Sequence, residues 1–461
     1  MEIGLQTLSL RYALVLLLLL CASALPAQLQ VDKLTCEFAE NPIGIDALQP
    51  RLSWTFLATA RNQSQSAYEL MVADNPDFNS GIQWSTGKVI APKNSNIEYS
   101  GKPLQSFTSY FWRVRTYDEQ NKLSAWSKEA KFETAMLHQG DWKSRWISDG
   151  SRQFGSDEDF YQDDRMPLFR KTITVPKEVK QARLYISGLG YYEAYLNGEK
   201  IGDRVLDPGW TSYQKEILYS VYDITAQLKK GTHVAGVMLG NGWYNPLPMR
   251  LFSRFNIRDF QQTGRPCVKA EFHIQYRDGS SDTIITDESW QVAPGPVIRN
   301  NVYLGEQYDA RLEQEDWLTL KSNGSQWHAA SIVDGLSGIL SAQKQPPIRV
   351  TKIIKPIGIK EVSPKTFIVD FGQNFAGVAR IRVKGKVPVT SQHDYHPEQA
   401  NIEPIFYCVY FRHIPILICM VAVDPSPMCI SMGQMCRRRP YRFPLHKPIA
   451  CRGQFAPLSH A

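Results

Sequence analysis

Apolar and polar residues alternate with a period of two along much of the chain, and this pattern predicts β-strands. Tyr68, Leu70 and Val72 fall on one side of a strand at 67–72, and residues 110–115 repeat the pattern with larger aromatic rings. Turn residues such as Gly101-Lys102-Pro103 separate these stretches. We therefore predict a β-sandwich of immunoglobulin or fibronectin type III size over residues 30–135.

A second all-β region is predicted over residues 140–337. Its strand candidates are Leu168–Val175, Gln181–Ser187, Tyr192–Leu196, Val234–Leu239, Lys269–Tyr276 and Asp282–Thr286. Asn197-Gly198 is a strong hairpin signal because both residues tolerate positive φ. The one helical pattern, Ile224–Leu228, is a single turn that ends before Gly231. The number and length of these strands favour a jelly-roll-like β-sandwich.

A third β domain is predicted to start at residues 346–386, with strands at Arg349–Thr351, Thr366–Phe371 and Ala379–Val383. Regular alternation stops after Lys386. Residues 387–461 have no sustained period, and prolines interrupt their apolar runs. The chain as a whole is therefore predicted to be all-β, followed by an irregular tail.

The N-terminal residues 1–27 have the features of a cleaved signal peptide. Arg11 precedes an unbroken apolar run at 13–20, and small residues follow up to Ala27. The run is too short to span a bilayer. A later apolar stretch, 405–423, carries Arg412 in its middle, which is costly in a membrane. We expect an exported protein, periplasmic or extracellular, with no membrane span.

Charge and cysteine concentrate in the tail. The 461 residues include 52 Lys and Arg against 45 Asp and Glu, a net charge of +7. Seven basic residues and one acidic residue lie in 405–461, so the remainder of the chain is close to neutral. Five of the eight cysteines also lie there. Three consecutive arginines, at 437–439, could contact phosphate, but no nucleic-acid-binding module surrounds them. We therefore predict no nucleic-acid partner.

Few residues have the spacing of a metal or cofactor site. The tail cysteines lack a C-x-x-C pair, and His393-x-x-His396 is an isolated pair. The acidic stretch 157–164 could hold calcium, but a solvated loop is the commoner use of such residues. Phosphate-binding and G-x-S-x-G motifs are absent from the sequence. We therefore predict no metal and no cofactor.

Acidic residues at 306–315 raise the question of glycoside chemistry, which uses two carboxyl groups across a cleft. Glu306, Asp309, Glu313 and Glu315 are close in sequence, but sequence proximity does not give that geometry. The alternative, favoured here, is that they cap turns and bind arginines.

Aromatic residues beside turns are more suggestive of carbohydrate binding, because exposed rings stack on the apolar faces of sugars and amides bind hydroxyl groups. The candidate residues are Tyr192, Asn197, Trp210, Asn241, Trp243 and Tyr244. The alternative is that the rings fill the sandwich core, which is the usual place for Trp and Tyr and the favoured interpretation for any single residue.

Seven ordered segments between Leu34 and Lys386 resemble the bacterial α-L-rhamnosidases of glycoside hydrolase family 78. They are Asp141–Ile147, Pro167–Lys171, Gly190–Gly198, Leu206–Tyr213, Leu239–Tyr244, Gly305–Arg311 and Asp370–Gly377. The resemblance implies a fibronectin-like domain, an accessory β-sandwich and a concanavalin-like β domain. A catalytic (α/α)6 barrel would follow, in which an acidic pair removes terminal α-L-rhamnose with inversion.

The chain departs from that family arrangement after Lys386. About 75 residues remain, too few for a barrel of twelve helices, and no segment matches the acidic catalytic motif. We therefore assign no catalytic residue and expect the chain to be inactive, with the tail read in a shifted frame. Two alternatives from other classes stay open: a secreted carbohydrate-binding protein and a scaffold module. Rhamnose-containing carbohydrate is the expected partner.

Overall fold

A computed structural model describes most of the chain up to Arg380. The described residues are 29–57, 61–248, 250–251, 255–302, 305–322, 326–363, 366–373, 375, 377–380, 405–408, 420–422 and 430–431. Their secondary structure is almost entirely strand, and the helices among them are 3-10 turns at Gln139–Asp141, Glu158–Tyr161, Ile257–Asp259 and Ala310–Leu312. The chain divides into two compact units between Asp141 and Trp142. No helix in the described ranges has the length and hydropathy to cross a bilayer.

The first unit is a β-sandwich. Its strands are β1 (Gln30–Cys36), β2 (Ile43–Ile45), β3 (Arg51–Leu57), β4 (Ala67–Ala73), β5 (Ile82–Ser85), β6 (Val89–Ile90), β7 (Ile97–Glu98), β8 (Ser109–Tyr117) and β9 (Ala130–Thr134). One sheet has the order β1-β3-β7, and the other has the order β2-β9-β8-β4-β5 with β6 beside β4. The predicted fibronectin-like or immunoglobulin-like architecture is confirmed.

The core of this sandwich follows the predicted alternation. Residues 110, 112, 114 and 116 of β8 are buried, and the residues between them are partly exposed. Leu70, Trp112 and Phe132 are completely buried, and Trp54 is nearly so. The Trp54 Nε1 group donates to Gln65 Oε1 at 3.0 Å, so burial of this ring leaves no orphaned donor.

The second unit contains a larger two-sheet sandwich. The strands of this unit up to Ala342 are β10 (Trp146–Ser148), β11 (Pro167–Val175), β12 (Val179–Leu189), β13 (Tyr192–Leu196), β14 (Glu199–Lys200), β15 (Glu216–Asp223), β16 (Gly231–Leu239), β17 (Arg250–Leu251), β18 (Phe255–Asn256), β19 (Cys267–Tyr276), β20 (Ser281–Ile285), β21 (Gln291–Pro294), β22 (Val297–Asn301), β23 (Gly305–Tyr308), β24 (His328–Ala329), β25 (Ser331–Val333) and β26 (Ile339–Ala342).

Two sheets face each other across this core. One has the order β25-β10-β19-β12-β15-β26 with β20 beside β19, and the other has the order β14-β13-β16-β11-β21-β24. Leu184 and Phe272 from the first sheet and Phe169 and Val237 from the second belong to one buried cluster. The short pairs β17–β18 and β22–β23 lie outside these two sheets.

All six strands predicted for this region are present, and no end differs by more than three residues. The 224–228 segment forms one turn, in which Leu228 N donates to Ile224 O at 2.9 Å. Sequence alternation missed β15 because six of its eight residues are buried, on both faces of the strand. A strand covered on both sides has no polar face to mark its period.

The third predicted region is only partly regular. It contains β27 (Gly358–Ser363), β28 (Thr366–Asp370) and β29 (Gly377–Arg380). The tail was predicted to be irregular, but it contains the short strands β30 (Ile405–Cys408), β31 (Met420–Ala422) and β32 (Ile430–Ser431), which pair with β29, β28 and β23 respectively. The predicted strand at Arg349–Thr351 is wrong. That segment makes one isolated bridge, between Arg204 and Arg349, and Val350 is 65% exposed, so no sheet covers its apolar side chain. The predicted signal peptide at 1–27 and most of the tail lie outside the described residues.

Candidate functional site

Two tryptophans from separate loops stack at the surface of the second unit. The rings of Trp210 and Trp243 lie 4.7 Å apart with an angle of 15° between their planes. Trp210 precedes β15, and Trp243 lies in the turn that follows β16. Trp210 is 49% exposed, whereas Trp243 is only partly exposed. The pair therefore presents a flat apolar surface to solvent.

Glycine at 242 allows the turn that carries Trp243. Gly242 has φ +49°, and a Cβ atom at this position would lie 2.9 Å from Tyr191 N and 3.0 Å from Gly190 Cα. A side chain would therefore collide with backbone, which cannot move as a flexible side chain can. This close approach fixes Trp243 beside the start of β13.

A hydrogen bond joins Tyr191 to Trp243, and Tyr213 lies close enough to Tyr191 for their charges to interact. Burial raises the pKa of Tyr191 to about 12, although a hydrogen bond with Trp243 opposes that shift. Tyr213 and Tyr244 pack edge to face at 5.6 Å, and burial raises the pKa of Tyr244 to about 12. These hydroxyl groups stay protonated at neutral pH. Tyr191 and Tyr213 are not among the candidate carbohydrate-binding residues predicted from the sequence. The signal for Tyr191 was present, because the alternation that places Tyr192 in the core places Tyr191 on the opposite face.

Asn241 lies next to the pair, but its amide is part of the scaffold. Its Nδ2 group donates to Asn300 O at 2.9 Å, and its Oδ1 atom accepts from Asn245 Nδ2 at 2.8 Å. Its backbone N donates to Asn300 Oδ1 at 2.6 Å. The asparagine therefore anchors the Trp243 turn to β22.

The other candidates are structural. Tyr192 is 5% exposed within the core, where its hydroxyl lies 3.3 Å from that of Tyr222, and Tyr244 is 7% exposed. Asn197 is exposed in the β13–β14 hairpin, where its Oδ1 atom accepts from Val234 N at 2.9 Å. Tyr192 is therefore a core residue and Asn197 a hairpin residue, and neither adds to the tryptophan surface.

The acidic residues at 306–315 have different roles. Asp309 accepts from Arg311 through both oxygens, at 2.9 Å and 2.5 Å, as the arginine-binding interpretation predicted. Tyr308 donates to Glu313. Burial, followed by the charge of Glu193, raises the pKa of Glu306 to about 7.

Arginines neutralise part of the acidic stretch at 157–164. Arg265 bridges Asp164 at 2.7 Å and Asp149 at 2.9 Å, and Arg299 lies 3.5 Å from Asp163. Within the ranges described above, no three His, Cys, Asp or Glu side chains are grouped to hold a metal ion. Cys36 and Cys267 are buried free thiols. His393, His396, the tail cysteines and Arg437–Arg439 lie outside the described residues.

Comparison with known proteins places these two sandwiches in one family. The alpha-L-rhamnosidase N-terminal domain matches residues 177–352, and the Rha78A-like N-terminal immunoglobulin domain matches residues 31–138. The chain carries the N-terminal portion of an α-L-rhamnosidase. The rhamnosidase N-terminal match contains four of the seven segments, and the immunoglobulin match precedes the first of them, which begins at Asp141.

Relatives agree with this assignment of the rhamnosidase portion. An α-L-rhamnosidase of Formosa agariphila is 36% identical over 397 residues, which cover 81% of this chain and 42% of the relative. One from Alteromonas sp. is 32% identical over 357 residues, covering 75% of this chain and 38% of the relative. The chain thus spans about two fifths of the length of these curated relatives.

Solved structures show the same fold. The α-L-rhamnosidase from Dictyoglumus thermophilum is 36% identical, with a TM-score of 0.69 over 77% of this chain and 40% of that chain. The Streptomyces avermitilis α-L-rhamnosidase complexed with L-rhamnose has a TM-score of 0.70 at 23% identity, over 78% of this chain and 50% of that chain. The all-β rhamnosidase portion is therefore an established architecture.

Proposed function

We propose that this chain supplies the non-catalytic, carbohydrate-recognising part of an exported, inverting α-L-rhamnosidase. The observation that carries the proposal is the order of the two matched domains, immunoglobulin-like and then rhamnosidase N-terminal. Relatives named α-L-rhamnosidase match across most of the chain. The substrate class is rhamnose-containing plant polysaccharide or glycoside, and the signal-peptide pattern at 1–27 supports export.

The stacked Trp210–Trp243 pair is the proposed sugar contact. A half-exposed indole ring loses little conformational entropy on binding and offers a large apolar face to a pyranose ring. Because Trp243 packs behind Trp210 and is itself held by Tyr191, the exposed ring is already fixed in position. Preorganisation of this kind reduces the entropic cost of binding.

Replacing Trp210 should weaken carbohydrate binding without unfolding the sandwich. We expect the Trp210→Ala variant to bind rhamnose oligosaccharides about tenfold more weakly, which corresponds to about 1.4 kcal/mol. Isothermal titration calorimetry on the whole chain measures this change. Tyr161→Ala is the matched control, because Tyr161 is also an exposed ring of the second unit, at 46% exposure. Binding by Trp210→Ala within twofold of the unmodified chain would exclude this ring as the contact.

The chain by itself should not hydrolyse rhamnosides. Inversion requires two carboxyl groups about 6.5–9.5 Å apart with a water between them. The resemblance places that pair in the helical barrel, and the structure describes only strands and 3-10 turns. We expect nitrophenol release from an aryl α-L-rhamnoside at the blank rate, with a full-length rhamnosidase as positive control. Release that scales with the concentration of purified chain would refute the inactive assignment.

A scaffold role for the immunoglobulin-like unit is the second candidate. Its support is the architecture of the first unit alone, since such sandwiches serve widely as interaction modules. A scaffold without sugar affinity would give no heat in the same titration, whereas the carbohydrate-recognising function requires heat that Trp210→Ala reduces.

A further inference from the structure

An alternating stack of rings and guanidinium groups covers the outer face of β8 in the first unit. The Arg113 guanidinium lies 4.2 Å from the centre of the Phe78 ring and 4.6 Å from that of Trp126. The Arg115 guanidinium lies 4.5 Å from the same Trp126 ring. We call these four residues the arginine stack. Because Trp112 and Val114 point inward, the two arginines belong to the opposite face of the strand.

Hydrogen bonds hold Trp126 against β8. Ser124 N donates to Thr116 O, and Ser127 N donates to Val114 O, both at 2.8 Å. In return, the two serine hydroxyls accept from the backbone: Ser124 Oγ from Thr116 N at 2.9 Å and Ser127 Oγ from Val114 N at 3.1 Å. The segment that carries Trp126 is therefore bonded along the strand, and the stack is a fixed arrangement.

The two arginines differ in charge compensation. Arg115 donates twice to Glu69 Oε2, at 2.9 Å and 2.6 Å. No carboxylate of the described residues pairs with Arg113, whose Nη2 group has only the Met71 sulfur as an acceptor, at 3.8 Å. Burial, followed by the neighbouring charge of Arg115, lowers the pKa of Arg113. An anion beside Arg113 would offset the repulsion from Arg115.

We propose that Arg113 binds the carboxylate of a uronic acid in an acidic polysaccharide. A guanidinium group offers two parallel N–H donors that match the two oxygens of a planar carboxylate. The flanking rings fix the plane of the guanidinium, so that binding orders little that is not already ordered. Lys88, which lies 4.1 Å from the centre of the Tyr117 ring on the same strand, adds positive charge to this face.

This proposal rests on the proposed function, because a chain that recognises plant polysaccharide meets uronic acids in the same polymers as neutral sugars. It adds a second contact on the first unit, chemically distinct from the tryptophan pair. The first contact would select an apolar sugar face, and the second would select negative charge.

Affinity electrophoresis of the whole chain in gels containing polygalacturonate tests the proposal. We expect retardation that weakens as salt is added, because exposed charge pairs are screened. Arg113→Gln should reduce the affinity about tenfold, as for loss of a charge-assisted hydrogen-bond pair. Lys93→Gln is the matched control: it removes one positive charge from an exposed position of the same unit, away from the stack, and should change the affinity less than twofold.

A conservative variant separates binding from folding. Arg113→Lys keeps the charge and loses the planar fork, so we expect about a threefold loss of affinity with an unchanged thermal unfolding midpoint. No retardation of the unmodified chain, or equal retardation of Arg113→Gln, would overturn the proposal. Retardation by dextran sulfate but not by polygalacturonate would also overturn it, in favour of a sulfate site.

The two proposed contacts fail independently. Trp210→Ala should keep its affinity for polygalacturonate and bind neutral rhamnose oligosaccharide about tenfold more weakly, and Arg113→Gln should show the reverse. An unmodified chain that binds polygalacturonate but no neutral rhamnose oligosaccharide would refute the tryptophan contact of the proposed function, whereas an unmodified chain that binds the neutral sugar but not polygalacturonate would refute the arginine site.

Discussion

The Asp207→Ala variant is expected to lose about 3–5 kcal/mol of unfolding free energy, because it removes the acceptor of a buried polar network. Asp207 is 3% exposed. Its Oδ2 atom accepts from Ser220 Oγ at 2.5 Å and from Tyr222 at 3.0 Å, and its Oδ1 atom accepts from Gln343 Nε2 at 3.1 Å. Without the carboxylate, the Arg204 guanidinium, 3.4 Å away, loses its buried counter-charge. Urea unfolding measures the change.

Asparagine is a poor substitute at this position. All the partners of Asp207 donate, so an amide would point its NH2 group at another donor on one side. Gln343 cannot turn to accept without giving up its Oε1 bond from Gly209 N, at 2.9 Å. We expect Asp207→Asn to lose about 2 kcal/mol. Asp203→Ala is the control: it removes an exposed ion pair with Arg349 and should cost less than about 1 kcal/mol. Equal losses of unfolding free energy for the Asp207→Ala and Asp203→Ala variants would show that the buried network around Asp207 does not stabilise the fold.

Removing the Glu271 carboxylate should be similarly damaging. Glu271 is completely buried. Its Oε1 atom accepts from Lys143 N at 2.5 Å, Ser144 N at 2.8 Å and Ser144 Oγ at 2.9 Å, and its Oε2 atom lies 2.8 Å from His273 Nε2. Glu271→Ala would leave two backbone N–H groups without an acceptor, and we expect a loss of about 3–5 kcal/mol. Glu271→Gln, which keeps Oε1, should lose about 1 kcal/mol.

Protonation of Glu271 should also lower the unfolding free energy in acid. Burial alone would raise the pKa of Glu271, but the hydrogen bonds from His273, Ser144 and Lys143 outweigh burial and lower it. A carboxyl group with a lowered pKa in the folded state stabilises the fold above its unfolded value and loses that contribution as the pH falls through its folded value. Unfolding free energy measured from pH 7 down to pH 3 should therefore fall less steeply for Glu271→Gln. Identical slopes for both proteins would show that another group controls the acid response.

Local pattern predicted most of the fold. The strand at Tyr192–Leu196 matches the structure at both ends, because buried Tyr192, Ala194 and Leu196 alternate with partly exposed residues. The same reasoning failed at β15, which is covered on both faces, and at Arg349–Thr351, where exposed Val350 and Thr351 belong to no strand. Alternation of apolar and polar residues identifies a strand with one buried face. It does not identify a strand buried on both faces, and it does not exclude an exposed segment outside any sheet.

The site was less accessible to sequence reasoning. Trp210 and Trp243 were both candidates, but their stacking depends on the loops before β15 and after β16 converging in space. Local sequence patterns do not predict which loops meet in the folded chain. For Tyr192 the alternating pattern was sufficient, because it places this side chain on the same face as the buried Ala194 and Leu196 and so predicts a core position. The arginine stack is a similar case: residues 113 and 115 share a face by period, but Phe78 and Trp126 join them only through tertiary structure.

The pairing of the outermost strands of the second sandwich has a consequence for biosynthesis. β10 pairs with β25, and β15 pairs with β26, which ends at Ala342. At about 5–20 residues per second, roughly 10–40 seconds separate the synthesis of β10 from that of β26. During this interval the nascent sheet exposes unpaired edges, while the first unit already has its last strand at Thr134. The second unit is therefore the part of the chain that most needs a chaperone as it is made.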